Sequence, residues 1–446
     1  MTKLNWSVTM IETRFEQPRM RFIPWKAALT VSVAMLLVTA CLAPQQQSDT
    51  PTSTAVVAVP AAGAVAVQKR REWRFDNDGV RFDNQLPAAR LSAVQRVRNG
   101  VYRVRIAPET YPINSSPWYG FRIHSDAPRA VELQFTYPQQ FRHRYVPKLS
   151  RDGRTWQEVD AQSFAVDAKG NARLRLRLEA GELRVFAQPP FLPEDFAAWS
   201  ARVAAQVGAQ PQTFGTSVQG RPLQLLEFGA GAQAPVVLVL GGQHPPENTG
   251  TRALLGFVET LAADTPQARA FRERVHVLVA PLLNPDGMVE GHWRGNANGV
   301  DINRDWGPFA QPETRALRDA LAARGIGPGR VVFAIDFHST DQDVFYTVAD
   351  DPSRETGGLL QQWIAAMQSR FKIRESPSVA RNGTSQNWAV CRLGAPSVTY
   401  EVGDATPSAV LDEVARHAAA ILMDLLAEPR QPAAPPACNA YAFPAG

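Results

Sequence analysis

The sequence predicts two folded domains in series: a small antiparallel β-sandwich, then an α/β domain whose mixed, mainly parallel sheet carries helices on both faces. Three observations carry that prediction. Short segments of period-two alternation fill residues 70 to 190. From about 194 the pattern switches to unbroken apolar runs of strand length, alternating with stretches of helical spacing. A chain of 446 residues, 45% of them hydrophobic, can also bury two separate cores.

At the start of the chain, Arg14, Arg19, Arg21 and Lys26 precede an apolar run from Ala27 to Ala40. That run is short for a bilayer span and suits a signal-peptide core behind a positive n-region. The first nineteen residues otherwise resemble no part of a signal, and Met20 fits as the true start, which leaves Arg21 and Lys26 as the n-region. The run ends Leu37-Val38-Thr39-Ala40-Cys41. Small residues directly before a cysteine resemble a bacterial lipobox, which implies cleavage before Cys41, lipidation of its thiol and a membrane anchor facing the periplasm or exterior. The plain alternative is an ordinary signal peptide with a chance cysteine. Residues 1–41 are therefore expected as the signal segment. Residues 42–69, rich in Pro, Ala, Ser, Thr and Gln, are expected as a flexible spacer. Part of the net charge of +5 belongs to this leader, and the other basic residues are dispersed. That distribution argues against a nucleic-acid partner, which would need a basic patch or stripe.

The alternating segments of the 70–190 domain are Val101 to Ile106, Tyr119 to Ile123, Val131 to Phe135, Ala172 to Leu178 and Leu183 to Phe186. Turns at Asp152-Gly153 and Lys169-Gly170 separate some of them, as a sandwich requires. Trp118 and Tyr119 read as plain sandwich core. A proline-rich stretch, Pro189 to Pro193, makes a stiff linker. In the 194–428 domain, Val236 to Leu240, Val275 to Ala280, Val331 to Ile335 and Ser397 to Tyr400 read as buried strands. Thr251 to Ala262, Glu313 to Arg324 and Gly358 to Phe371 read as helices between them. Residues 429–446 form a Pro/Ala-rich tail. Cys391 and Cys438 are the cysteines left after Cys41, consistent either with a disulfide in an exported protein or with free thiols.

Chemistry concentrates at strand ends of the second domain, where sites of open α/β sheets form. His244-Pro-Pro-Glu247 follows the first strand. An imidazole and a carboxylate three residues apart can converge on zinc, and the two prolines exclude the helical arrangement in which both ligands sit inside a regular helix. Alone this spacing is weak. His338, in Asp336-Phe337-His338, ends another strand, and Glu401 ends the last. A carboxylate at the end of a buried strand is expensive unless paired or close to a metal. A salt bridge for Glu401 and an ordinary strand-end role for His338 are each acceptable singly; together they are a poor explanation.

The segment Asn284 to Trp306 holds Asn-Pro-Asp-Gly, then His292-Trp293-Arg294, then Gly299 through Asp301, Asn303, Arg304 and Trp306. With the preceding motifs this resembles the zinc metallocarboxypeptidase family over roughly 200 to 425. Asn114 to Phe121 and Ser150 to Trp156 further resemble the β-sandwich of its cytosolic-carboxypeptidase-like branch. The resemblance implies one Zn2+ per chain held by His244, Glu247 and His338. It implies Asp301 as the acid orienting the first histidine, Arg294 as the oxyanion-stabilising arginine and Glu401 as general base and acid. Asn303 and Arg304 would grip the free C-terminal carboxylate of a peptide substrate.

The family's tryptophan is kept as Trp388, and Gln386 falls where the family sets side-chain preference. Its neutral amide implies neither a strongly basic nor a strongly acidic preference, although Arg381 and Arg392 flank the region. The substrate-capping tyrosine is missing: Val379 stands at its position. The implied activity is zinc-dependent removal of C-terminal residues from peptides or peptidoglycan stem peptides. The alternatives are a zinc-dependent N-acyl amino acid deacylase, whose substrates also carry a carboxylate, and a non-catalytic envelope protein binding peptide or glycan.

Overall fold

The computed structural model describes residues 65, 68–138, 141–355, 357–378, 383–428 and 438. These lie in one compact unit spanning Val56–Gly446. The leader, Cys41, Arg381 and Val379 lie outside the described residues. No helix among the described residues is long and apolar enough to cross a membrane.

The first domain contains β1 (Glu72–Phe75), β2 (Val80–Asp83), β3 (Ala93–Arg98), β4 (Val101–Arg105), β5 (Gly120–Ser125), β6 (Arg129–Thr136), β7 (Lys148–Ser150), β8 (Gln157–Glu158), β9 (Phe164–Val166), β10 (Ala172–Leu178) and β11 (Gly181–Phe186). They form two sheets, ordered β1-β2-β5-β11-β7-β8 and β3-β4-β6-β10-β9. Alternation drives this arrangement: in β6 and β10, Val131, Leu133, Phe135, Ala172 and Leu174 are buried while Arg173 and Arg175 are exposed. One pairing, β4 with β6, is parallel and the rest are antiparallel. Trp118 and Tyr119 are core residues, as their sequence context suggests. The domain begins slightly before residue 70, because Gln68 donates to the Ala89 carbonyl and accepts from the Leu91 amide.

The second domain opens with helix α1 (Pro193–Val207), so Pro193 is a helix N-terminal residue and not the end of the linker. An eight-stranded sheet follows: β12 (Gln212–Thr216), β13 (Pro222–Gly229), β14 (Val236–Gly241), β15 (His276–Ala280), β16 (Val331–Thr340), β17 (Val344–Val348), β18 (Arg374–Ser378) and β19 (Ser397–Gly403). Its spatial order is β12-β13-β15-β14-β16-β19-β17-β18. The central strands β15, β14, β16 and β19 are mutually parallel, and antiparallel pairs occur towards both edges. Both faces are covered, which is why these strands read as continuous apolar runs. Helices α2 (Asn248–Ala262), α3 (Pro266–Arg272), α6 (Leu359–Gln368) and α8 (Ser408–Leu425) share one core with α1. Helices α5 (Pro312–Ala323) and α7 (Ser385–Trp388) cover the other face. Between them, α4 (Pro285–Glu290) is the short helix started by the Asn-Pro-Asp-Gly segment, with the Asn284 side chain accepting from Gly287 N at 2.9 Å.

In the tail, Cys438 is disulfide-bonded to Cys391, so the two cysteines left open by the sequence form a pair.

Candidate metal centre and substrate cleft

The parallel strands deliver the chemistry to one edge. β14 ends just before His244, and its neighbour β16 runs on to His338. β19 brings Glu401 into register directly beside His338. Helix α2 begins immediately after Glu247 and packs close to the end of β16. A Cβ on Gly250 would stand 2.2 Å from the His338 carbonyl oxygen, so glycine is what permits that approach.

His244, Glu247 and His338 are all buried, and one donor atom from each lies within 4.8 Å of the others. The hydrogen bonds behind them fix their protonation. His244 Nε2 lies 2.9 Å from Asp301 Oδ1, and His338 Nε2 lies 2.9 Å from Asp336 Oδ2. Assigned from this network, each imidazole keeps its proton on Nε2, leaving both Nδ1 atoms as acceptors. Those two Nδ1 atoms are 3.1 Å apart, and Glu247 oxygens approach them at 2.9 and 2.6 Å. Lone pairs so crowded repel unless a cation joins them. Donors around a tetrahedral zinc with bonds of about 2.0 Å are themselves about 3.3 Å apart. Two imidazoles and a carboxylate at this spacing therefore fit zinc. Burial works against charging His338, but Asp336 and Glu247 outweigh it and raise its pKa well above the ordinary value, a sign of how strongly this pocket draws positive charge to Nδ1, where a proton would compete with zinc. Burial also opposes charge on Glu247, yet the two histidines pull its pKa well below the usual carboxylate range.

Around these donors lies a cavity of about 390 Å³ lined by Glu401, Arg294, Asn303, Arg304 and Gln386 as well as His244 and Glu247. Glu401 Oε2 is buried and has no hydrogen-bond partner among the described residues. Burial, then the negative charge of Glu247, push the Glu401 pKa up to about 7 against the opposing histidines and Arg294. Arg294 donates from Nε to Asp301 Oδ2 at 2.6 Å, and its Nη1 is 3.9 Å from Glu247 Oε1. Asp301 thus serves His244, Arg294 and the Asn303 backbone amide, and Arg294 and His244 outweigh burial to keep its pKa low. Asn303 is held by its Oδ1, which accepts from Ser385 N at 3.0 Å, and its Nδ2 stands beside the His338 ring, 3.2 Å from Nε2. Arg304 donates to the Asn303 carbonyl at 2.7 Å and has no carboxylate in ion-pair range among the described residues. Gln386 Nε2 donates to the Tyr346 carbonyl at 2.7 Å, which fixes its amide at the cavity wall.

Several residues that sequence reasoning left without a role complete the site. Asp336 holds His338 and also accepts from Gln243 Nε2 at 2.5 Å and from the Ser385 hydroxyl. Its two-residue spacing from His338 on one strand put both on the same face, a usable signal. Glu109 of the sandwich accepts from the backbone amides of Trp293, Arg294 and Gly295 at 2.8, 3.0 and 2.9 Å. Arg144, also from the sandwich, lines the cavity. It donates to both oxygens of Asp404, at 2.6 and 3.2 Å, and to the Ser339 carbonyl at 3.1 Å. Glu109 and Arg144 lie far from their partners in sequence, and no local pattern announces either.

Residues 201–419 match the sequence model of the zinc carboxypeptidase family, and the domain carrying this site belongs to that family. An uncharacterised protein of Zymomonas mobilis is 27% identical over 234 residues, 50% of this chain and 58% of its own length. Mouse cytosolic carboxypeptidase 6 is 31% identical over 138 residues, 29% of this chain and 26% of its own. The chain thus spans well under two thirds of either relative. In fold, it resembles a metallo-carboxypeptidase from Burkholderia cenocepacia, with a TM-score of 0.66 at 23% identity over 78% of this chain and 98% of that one. It also resembles a Pseudomonas aeruginosa metallo-carboxypeptidase solved with (2-guanidinoethylmercapto)succinic acid, with a TM-score of 0.62 at 22% identity over 77% of this chain and 98% of that one. Both likenesses include the sandwich as well as the catalytic fold, since more than three quarters of this chain is covered.

Proposed function

We propose that this chain is a zinc-dependent carboxypeptidase that removes the C-terminal residue of peptides, including peptidoglycan stem peptides, at the bacterial envelope. The observation that carries the reading is one cavity beside a zinc-type donor triad, lined by Glu401, whose buried Oε2 has no partner among the described residues, and by Arg304, whose guanidinium has no carboxylate partner among them. Zinc bound by His244, Glu247 and His338 supplies Lewis acidity, which acidifies water and polarises a carbonyl.

The rest is done by the chain's own groups. Arg304 pairs with the terminal carboxylate, which only a chain end presents, and so sets the scissile bond at a fixed distance from Glu401. Glu401 takes a proton from the attacking water and returns it to the leaving amine, a relay for which its buried oxygen at the cavity wall is placed. Arg294, held by Asp301 and by the Glu109-anchored turn, faces the developing oxyanion. Asp301 and Asp336 keep the histidine protons on Nε2, so that both Nδ1 atoms remain donors to metal.

Export and lipid attachment through Cys41 belong to the same proposal. They are supported by the Cys391–Cys438 disulfide, which persists in oxidising compartments. The test of activity is incubation with defined peptides and muropeptides, read by mass spectrometry with and without chelator. Stepwise loss of C-terminal residues that stops on chelation is expected. A fully metallated protein that releases nothing would sink the reading.

A further inference from the structure

Among the described residues, one wall of the cavity beside the metal donors, its floor, carries no charged side chain. Thr399 of β19, Tyr346 of β17 and Ser376 of β18 are register partners in one row across three strands. All three line the cavity, with Ser378 and Gln386 beside them. The next row along the same face contains His338 and Glu401, two residues on, so the hydroxyl row lies about 7 Å from the reacting groups. Gln386 is locked over the row: its Nε2 donates to the Tyr346 carbonyl at 2.7 Å and its Oε1 accepts from Thr399 Oγ1 at 3.4 Å. The hydroxyls of Tyr346, Ser376 and Ser378 have no hydrogen-bond partner among the described residues, and none of the three side chains is fully buried.

Charges in the cavity are committed elsewhere. Arg294 is paired with Asp301 and Arg144 with Asp404, and in the carboxypeptidase reading Arg304 is taken by the terminal carboxylate.

We propose that this floor receives the side chain of the departing residue and selects uncharged hydrogen-bonding side chains (Ser, Thr, Asn and Gln), with Tyr346 the specificity-determining residue. The inference rests on the carboxypeptidase reading and names its substrate class. A charged side chain would be desolvated here without a counter-ion. An apolar one would displace water from the free hydroxyls and leave them unpaired, a mismatch that polar sites reject strongly.

The test uses the zinc-loaded protein and its Tyr346→Phe variant on N-acetylated peptides that differ only in the last residue. Endings in Ser, Thr, Asn or Gln should show kcat/KM about tenfold or more above Asp, Glu, Lys, Arg, Leu and Phe endings. Tyr346→Phe should erode that preference severalfold with zinc content unchanged. Fastest release of charged or apolar endings overturns the proposal, as does a variant whose ranking matches the parent. If no peptide is cut, the carboxypeptidase reading fails separately, and calorimetric binding of the same peptides to zinc-loaded Glu401→Gln protein decides the pocket. Tightest binding of neutral polar endings supports it, and any other ranking overturns it.

Discussion

A buried carboxylate oxygen without a hydrogen bond is costly, and Glu401 Oε2, beside three metal donors, has none among the described residues. Proton transfer by a positioned side chain contributes about 10² to 10⁴ in rate. Glu401→Gln should therefore lower kcat by about that factor while zinc stays near one per chain, checked by steady-state kinetics and metal analysis. Asp336→Asn acts differently. It removes the carboxylate that orients His338 and should weaken zinc affinity about 10- to 100-fold, read by competition with a chelator of known affinity. Sequence made the first prediction accessible and not the second. His244, Glu247, His338 and Glu401 announce themselves because imidazole and carboxylate at the ends of buried strands need a reason. Asp336 was visible in the same tripeptide as His338, but its partners Gln243 and Ser385 meet it only through folding.

Strands and helices were legible wherever one period dominated. β10 matches its alternating segment residue for residue, whereas β16 continues past its apolar run through Asp336 and His338 to Thr340, because pairing with β19 continues there. The sandwich has its own titration device. His143 accepts from the Tyr137 hydroxyl at Nδ1 (2.7 Å) and donates from Nε2 to the Tyr145 carbonyl (2.6 Å), among Tyr119, Phe135 and Phe164. Burial lowers its pKa from 6.5 to about 4. Between those values the unfolded chain binds a proton that the folded chain refuses, so stability falls as pH drops through the window, by about 3 kcal/mol in total. Urea unfolding of the parent and its His143→Gln variant at pH 7 and pH 4.5 isolates this loss: the parent should lose about 2 to 3 kcal/mol more than the variant, because Glu401 and Asp404, whose raised pKa values act in the opposite direction, shift both alike.

At the scale of the molecule, the sandwich is built into the catalytic cleft. Trp293, from the segment that carries Arg294, is buried in the sandwich core and donates to the Trp118 carbonyl at 2.9 Å. Glu109 caps that same turn from the other side, and Arg144 ties the ends of β16 and β19, which carry His338 and Glu401. Glu109→Gln should leave at least one of the three buried amides poorly paired. It should lower stability by about 1–3 kcal/mol and reduce kcat more than zinc content, followed by thermal unfolding, kinetics and metal analysis on one preparation. This coupling was invisible in the sequence because Glu109 and Trp293 are 184 residues apart. Periodicity reports which face of a strand is buried, not which distant turn its neighbouring loop will hold.

The central claim is that a zinc centre and Arg304 together make an exopeptidase reading a free C-terminus. Paired peptides of one sequence, ending in a free carboxylate or a carboxamide, test it most directly when incubated with the zinc-loaded protein and weighed by mass spectrometry. The free acid should lose one terminal residue and the amide essentially none, with Arg304→Gln erasing the difference by slowing the acid. Equal cleavage of both peptides, or cleavage at internal bonds, would contradict it.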